Sequence, residues 1–404
     1  MIDSSIPSAP PTRLIDLDQA RAGHGDAAVD RMVRLTSAGD PLADAVIAEL
    51  EQLGVPGRQA LERGLADGLG SLDEPPPAAI AALLRQLEQE VGPECGETAR
   101  ADLADGDRAT QAVPPPWDVV AFAVSMMHVY ASPGIARVLT FTGGLTTTAP
   151  RRLADTGTWR SLAVLPGGLL PGAPGYVATA RVRLMHARVR AKAVAAGWDR
   201  GRWGLPINQA DLARTWLAFT IVPFRCLSEV VGIGLSDGEE RQLYRYWRHI
   251  GRLLGLDESV MAGIHQHSDA VGLLDLLDMT TEAPDDDSRE LTAALFAYAS
   301  EGLARVPGVG MSARAWHDVL GAMLRASLGG RLADGLGIAT TAAGDFLPLI
   351  AHGQAAARRI QLANPEEAEK ARQRHIAIRR QRAATPAPAG SDVLDSDVLD
   401  PDGH

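Results

Sequence analysis

Apolar residues return at three- and four-residue steps through long tracts of this chain, and that period selects α-helix over strand. Between Leu17 and Gly92 it runs through DAAVDRMVRLTSAG and PLADAVIAELEQLG, and each run stops near Gly or Pro, as helices do. The apolar residues are mostly Ala and Leu, and aromatics make up only 4% of the chain. β-branched and aromatic runs are scarce, so the expected class is all-α. Two further helix starts are legible. Asn208 precedes QADLARTW with Asp211 at the third position, and Ser236 precedes DGEERQLYRYWRHIGRLLG with Glu239 at the third position. Both fit side-chain capping of the first turn. Leu243, Trp247, Ile250 and Leu254 supply a buried face for the second helix.

A chain of 404 residues with 46% apolar content is long enough for two subregions or one large helical domain. The boundaries read as a Pro/Ser-rich frayed start at 1–14, a helical region at 15–115 and a core at 116–380. A disordered acidic tail at 381–404, holding SDVLD twice, completes the chain. Residues 93–116 are polar and end in VPPPW, which reads as a connector. A net charge of −11 argues against a nucleic-acid partner. Of the 39 basic residues only Lys192 and Lys370 are lysines. That bias lowers the weight any single arginine carries. Cys95 and Cys226 stand alone, which argues against a cysteine-built zinc site and a disulfide framework.

The N-terminal MIDSSIPSAPPTRLIDLDQA lacks a basic segment followed by an apolar run, so a cytoplasmic protein is expected. The charge-free stretch from Ser161 to Ala180 is broken by Pro166, Pro171 and Pro174, which argues against a membrane span. GLGSLD and GGLTTT lack the lysine of a phosphate loop. GxSxG and HExxH are absent. His265 and His267 are spaced by two, so on a helix they diverge, and they read as part of a polar loop.

The segment RVRLMHARVR, residues 181–190, places one imidazole between arginines. Gly197 marks the stop of its helix. On a helical wheel Val182, Val189 and Ala193 lie to one side of His186, and Arg183 and Arg190 to the other. Two readings stay open on spacing alone. One is a core histidine bonded to a carbonyl. The other is an iron ligand on the rim of an apolar groove, with valines against a macrocycle and arginines near its propionates; haem b suits that arrangement.

Five ordered blocks narrow the choice. They are RRLADT at 151–156, PGGLLPGAPGY at 166–176, RVRLMHARVR, GLPINQADLARTW and YRYWRHIGRLLG. Together, over about residues 115–260, they resemble the latex clearing protein (rubber oxygenase) family, which includes the fungal oxygenase of mycophenolic acid biosynthesis. The resemblance implies a globin-like, haem-binding helical core with additional N- and C-terminal helices. It implies His186 as the axial ligand, Arg183 as a haem-propionate partner, and Arg152 and Thr156 on the distal side.

Two positions depart from the family. Asp155 stands where rubber oxygenases often carry a lysine, and Ala136 near where their distal glutamate falls. Asp155 is read either as a proton relay in the pocket or as a surface aspartate, and His128 as a second distal candidate or a core histidine. The Pro/Gly loop is read as shaping access for an apolar ligand, or as a bend into the axial helix. The expected function is a haem b oxygenase using O2 on a small apolar substrate rather than polyisoprene. A peroxidase or peroxygenase, and a haem sensor or carrier, are the alternatives.

Overall fold

The computed structural model describes residues 9–93, 95–141, 145–306 and 310–384, with side chains from residue 149 onward in the third span. The acidic tail from residue 385 and part of GGLTTT lie outside the described residues. Among the described residues the architecture is all-α; pairing between extended segments is limited to one isolated bridge, Leu14 to Thr281.

The helix Trp117–Tyr130 is the spine of the core. Every residue in it but Val119 is buried, as expected of a helix that is apolar on all sides. It packs against Asp286–Ala304, Gln209–Phe219 and Ile221–Cys226. Asp237–Leu253 is instead amphipathic, burying Leu243, Trp247 and Ile250. Both anticipated caps form. Asn208 accepts from the Asp211 amide, and Ser236 and Glu239 make a reciprocal capping box. Among the described residues no single helix is long and apolar enough to cross a membrane.

The ends of the chain are more structured than their composition suggests. Thr12 and Arg13 donate backbone hydrogen bonds to Gly201 and Arg202, and the Arg13 guanidinium reaches Asp211 at 2.9 Å. Residues 12 and 13, inside the expected frayed start at 1–14, are thus held by backbone hydrogen bonds and a buried ion pair. Residues 93–116 contain two short helices, Glu97–Asp105 and Arg108–Ala112, rather than a bare connector. The last helix, Pro365–Ala384, runs past the expected start of the tail. Arg379 anchors it: its Nη2 donates to Thr110 O at 2.7 Å and Val113 O at 3.1 Å, and it lies 3.2 Å from Asp118.

Candidate functional site

The site is built on a helical hairpin. Leu145–Ala163 and Pro174–Ala195 pack side by side, joined by the Pro/Gly loop. The loop is a tight bend, with the Tyr176 amide donating to Gly168 O at 2.8 Å. Gly175 has to be glycine, because a Cβ there would lie 2.6 Å from Leu162 O. Beyond the bend, Trp159 Nε1 donates to Thr179 Oγ1 at 3.0 Å. The Trp159 ring is packed edge-on against Phe219 and Trp247. This clamp sets the register of the antiparallel pair. Arg152 lies seven residues before Trp159 and His186 seven after Thr179, so each is about 10 Å along its helix from the clamp. By the same count Thr156 stands opposite Val182.

His186 is partly exposed as a residue, but its Nδ1 is buried without a hydrogen-bond partner among the described residues. Burial pushes its pKa down to about 4; the Arg190 charge adds to this and Asp40 opposes it. The ring is therefore neutral at physiological pH. It sits on a seam. Val182 packs against the main core, whereas Val189 belongs to a separate cluster around Val138, Ala193 and Trp198.

The arginines around it have another task. Arg183 is 3% exposed; its Nε donates to Asp40 Oδ2 at 2.6 Å, its Nη2 to Asp40 Oδ1 at 3.0 Å and its Nη1 to Gln86 at 3.0 Å. Gly255, at φ +80°, closes over this pair, and a Cβ there would lie 2.1 Å from Asp40 Oδ2. Arg190 pairs with Asp44 at 2.8 Å, and Arg181 pairs with Glu62. Three arginines thus dock the N-terminal helices onto this one. The residue expected as a propionate partner, Arg183, thus has its fork engaged by a buried carboxylate and an amide.

On the facing helix, Arg152 is half-buried and its Nη1 donates to Leu139 O at 2.7 Å. Burial works against its charge, and the neighbouring Tyr130 is close enough to influence it. Tyr130 is 3% exposed, and burial raises its hydroxyl pKa well above the ordinary value. Sequence reasoning missed it, although it lies two residues from the flagged His128. Thr156 Oγ1 donates to Arg152 O at 2.8 Å, which leaves its oxygen lone pairs available. Asp155 is partly exposed and 3.9 Å from Arg151. Burial raises its pKa and Arg151 opposes that. Its charge also reaches Tyr298 on Asp286–Ala304.

Other candidates go elsewhere. His128 is buried, with Nε2 3.0 Å from Asp278 Oδ1, and Arg214 pairs with the same carboxylate. His267 Nδ1 meets the Tyr244 hydroxyl at 2.6 Å, whereas the His265 amide bonds to Asp269. Ala136 is fully buried in Pro133–Phe141. Among the described residues no group of three or more His, Cys, Asp or Glu is placed to hold a metal ion.

The family model described as ER-bound oxygenase mpaB/B'/rubber oxygenase, catalytic domain, matches residues 117–361. The solved structure of latex clearing protein LCP in the closed state superposes with a TM-score of 0.56 at 19% identity, covering 96% of this chain and 93% of that one. At that identity the likeness establishes the fold. Among curated proteins none matches the chain.

Proposed function

The chain belongs to the mpaB/rubber oxygenase catalytic-domain family, and on that footing we propose that it is a haem b-dependent oxygenase acting on a small lipophilic substrate. One observation carries the reading: a neutral imidazole with an unpartnered buried nitrogen, on the level of a half-buried guanidinium across the hairpin. Haem needs a single axial side chain rather than a cluster of ligands, so the residues present fit it. When bound, haem supplies an iron centre that activates dioxygen.

In this reading His186 holds the group from the Pro174–Ala195 helix, with Val182 and Val189 as its apolar flanks. Arg183 acts at one remove, because its pair with Asp40 fixes the rotation of that helix. Arg152, tethered to the Leu139 carbonyl, stabilises negative charge that develops in the pocket. Thr156 offers a hydroxyl oxygen one helical turn away. Asp155 keeps its proton to a higher pH than an open aspartate, which suits it to hand on a proton from its carboxyl. The uncharged character of the Pro/Gly loop and the half-buried valines favours a lipophilic molecule.

Full-length protein loaded with haem b is expected to give a Soret band that His186→Ala loses, with far-ultraviolet circular dichroism unchanged. A band retained in that variant overturns the assignment. Lipophilic alkenes supplied with isotopically labelled dioxygen are expected to yield labelled product. Unlabelled product formed only with peroxide would move the protein to the peroxygenase class.

A further inference from the structure

Trp159, one half of the clamp in the hairpin, is also the inner end of a row of aromatic side chains. Its ring centroid lies 6.4 Å from that of Trp247. Trp216 donates its indole N–H to the Trp247 carbonyl at 2.8 Å, and its ring lies 5.9 Å from Tyr244. The Tyr244 hydroxyl meets His267 Nδ1 at 2.6 Å. Trp159, Trp247, Trp216 and Tyr244 are buried, whereas His267 is partly exposed. The row therefore leads from the hairpin to the surface. Aromatics make up only 4% of the chain, so an unbroken row of this length is not what the composition predicts.

Indole and phenol rings are among the side chains most readily oxidised by one electron, and neighbouring rings pass the electron deficit along in short steps. Each indole N–H in the row has an acceptor. Trp159 has Thr179 Oγ1, Trp216 has the Trp247 carbonyl, and Trp247 has Asp107 Oδ2 at 2.8 Å. A hydrogen bond of this kind strengthens when its donor turns positive, which eases loss of an electron from the ring. The outer end is built differently. A phenol sheds its proton on oxidation, so a tyrosine there needs a base in contact. Burial lowers the His267 pKa, with Arg225 adding to this and Glu240 opposing it. A neutral imidazole that carries its proton on Nε2 leaves Nδ1 free to accept from Tyr244.

We propose that this row is an exit path for oxidising equivalents, from oxidised haem at the hairpin to the surface at His267. It rests on the haem reading for its oxidant and adds a function to it, protection of the pocket when no substrate is bound. Hydrogen peroxide takes two electrons and two solvent protons to become water, which leaves the haem two electrons short. Tyr244 returns one of them by way of Trp216, Trp247 and Trp159. The Tyr244 O–H bond breaks, its proton bonds to His267 Nδ1, and a neutral phenoxyl radical beside an imidazolium remains. A one-electron donor in solution, such as ascorbate, then restores the phenol, which takes its proton back from His267.

The test is electron paramagnetic resonance of haem-loaded, full-length protein frozen after mixing with hydrogen peroxide in the absence of organic substrate. A tyrosyl signal is expected in the parent and in Tyr298→Phe, and its loss in Tyr244→Phe. Trp216→Phe breaks the row but keeps Tyr244, and His267→Phe removes only the proton acceptor; both are expected to lose the signal with circular dichroism unchanged. Peroxide is expected to bleach the Soret band faster in Tyr244→Phe than in the parent. A parent without the signal, a signal lost in Tyr298→Phe, or one that survives any of the three row substitutions overturns the proposal. A chain that takes up no haem overturns the haem reading and this proposal with it, and the missing Soret band tells that failure from the others.

Discussion

Arg152 and His186 stand at one level of the hairpin because Trp159 and Thr179 are bonded seven residues away on each helix. The pair proposed to act at the site is thus positioned by a second pair that has no role in what is proposed there. Thr179→Val would leave the buried Trp159 N–H unsatisfied, at a cost of about 1–3 kcal/mol. Urea unfolding is expected to show that loss, and the Soret band of the haem-loaded variant to weaken. Thr179→Ser, which keeps the hydroxyl, is expected to restore both.

His186 is neutral in the folded protein with a pKa of about 4, below the value of about 6.5 for a free imidazole. As pH falls below about 6.5 the unfolded chain takes up a proton that the folded chain does not. Stability of the haem-free protein is therefore full above that pH and declines toward about pH 4. There the folded form also protonates and the contribution ends. His128, whose pKa burial and Arg214 also lower, adds to the same slope. Urea midpoints measured across this range are expected to drop, and His186→Gln is expected to flatten part of the drop.

The Arg183–Asp40 pair is almost fully buried, with the two side chains 3% and 7% exposed. Removing one partner strands the other charge. Asp40→Leu is expected to cost about 3–5 kcal/mol, and the double variant with Arg183→Met to be more stable than either single one. Equilibrium unfolding of the three variants checks this. Additive losses would mean that the two residues do not act as a pair.

Asp118 sits between Arg160 at 2.9 Å and Arg379 at 3.2 Å. Burial raises its pKa, but the two guanidinium charges overcome this and hold the carboxyl well below the usual carboxylate range. Arg379→Met is expected to loosen the last helix. Hydrogen exchange should rise in Pro365–Ala384 and in Arg108–Ala112, to which that helix is bonded.

Asp155 separates a proton-handling role from a surface one. Its link to Arg151 is long and partly exposed, so Asp155→Asn should change stability by less than about 0.5 kcal/mol. Turnover is expected to fall by about a hundredfold, with the Soret band unchanged. Full turnover in that variant would remove Asp155 from the reaction.

The parts of this molecule that were legible in its sequence are local. The caps at Asn208 and Ser236, and the end of the His186 helix at Gly197, depend on residues a few positions apart. The arginines of RVRLMHARVR were not legible, because their partners are distant in sequence. Asp40 is 143 residues from Arg183, and Glu62 is 119 from Arg181. The family resemblance implied an anionic partner for Arg183, and a fold-level contact supplies a carboxylate from another helix. The Trp159–Thr179 clamp was hidden for a different reason. Both residues read as ordinary helix positions, and only the tight bend at Gly175 brings them face to face.

The docking of the N-terminal helices bears on where this protein can be cut. The matched catalytic domain begins at Trp117. The helix bearing His186, however, is bolted to residues 40, 44 and 62 through Arg183, Arg190 and Arg181. A fragment that starts at the homology border would strip the carboxylates from three guanidinium groups on the helix that carries His186. The inherited module and the smallest workable one have different edges, and transplantation or directed evolution of this scaffold has to respect the wider.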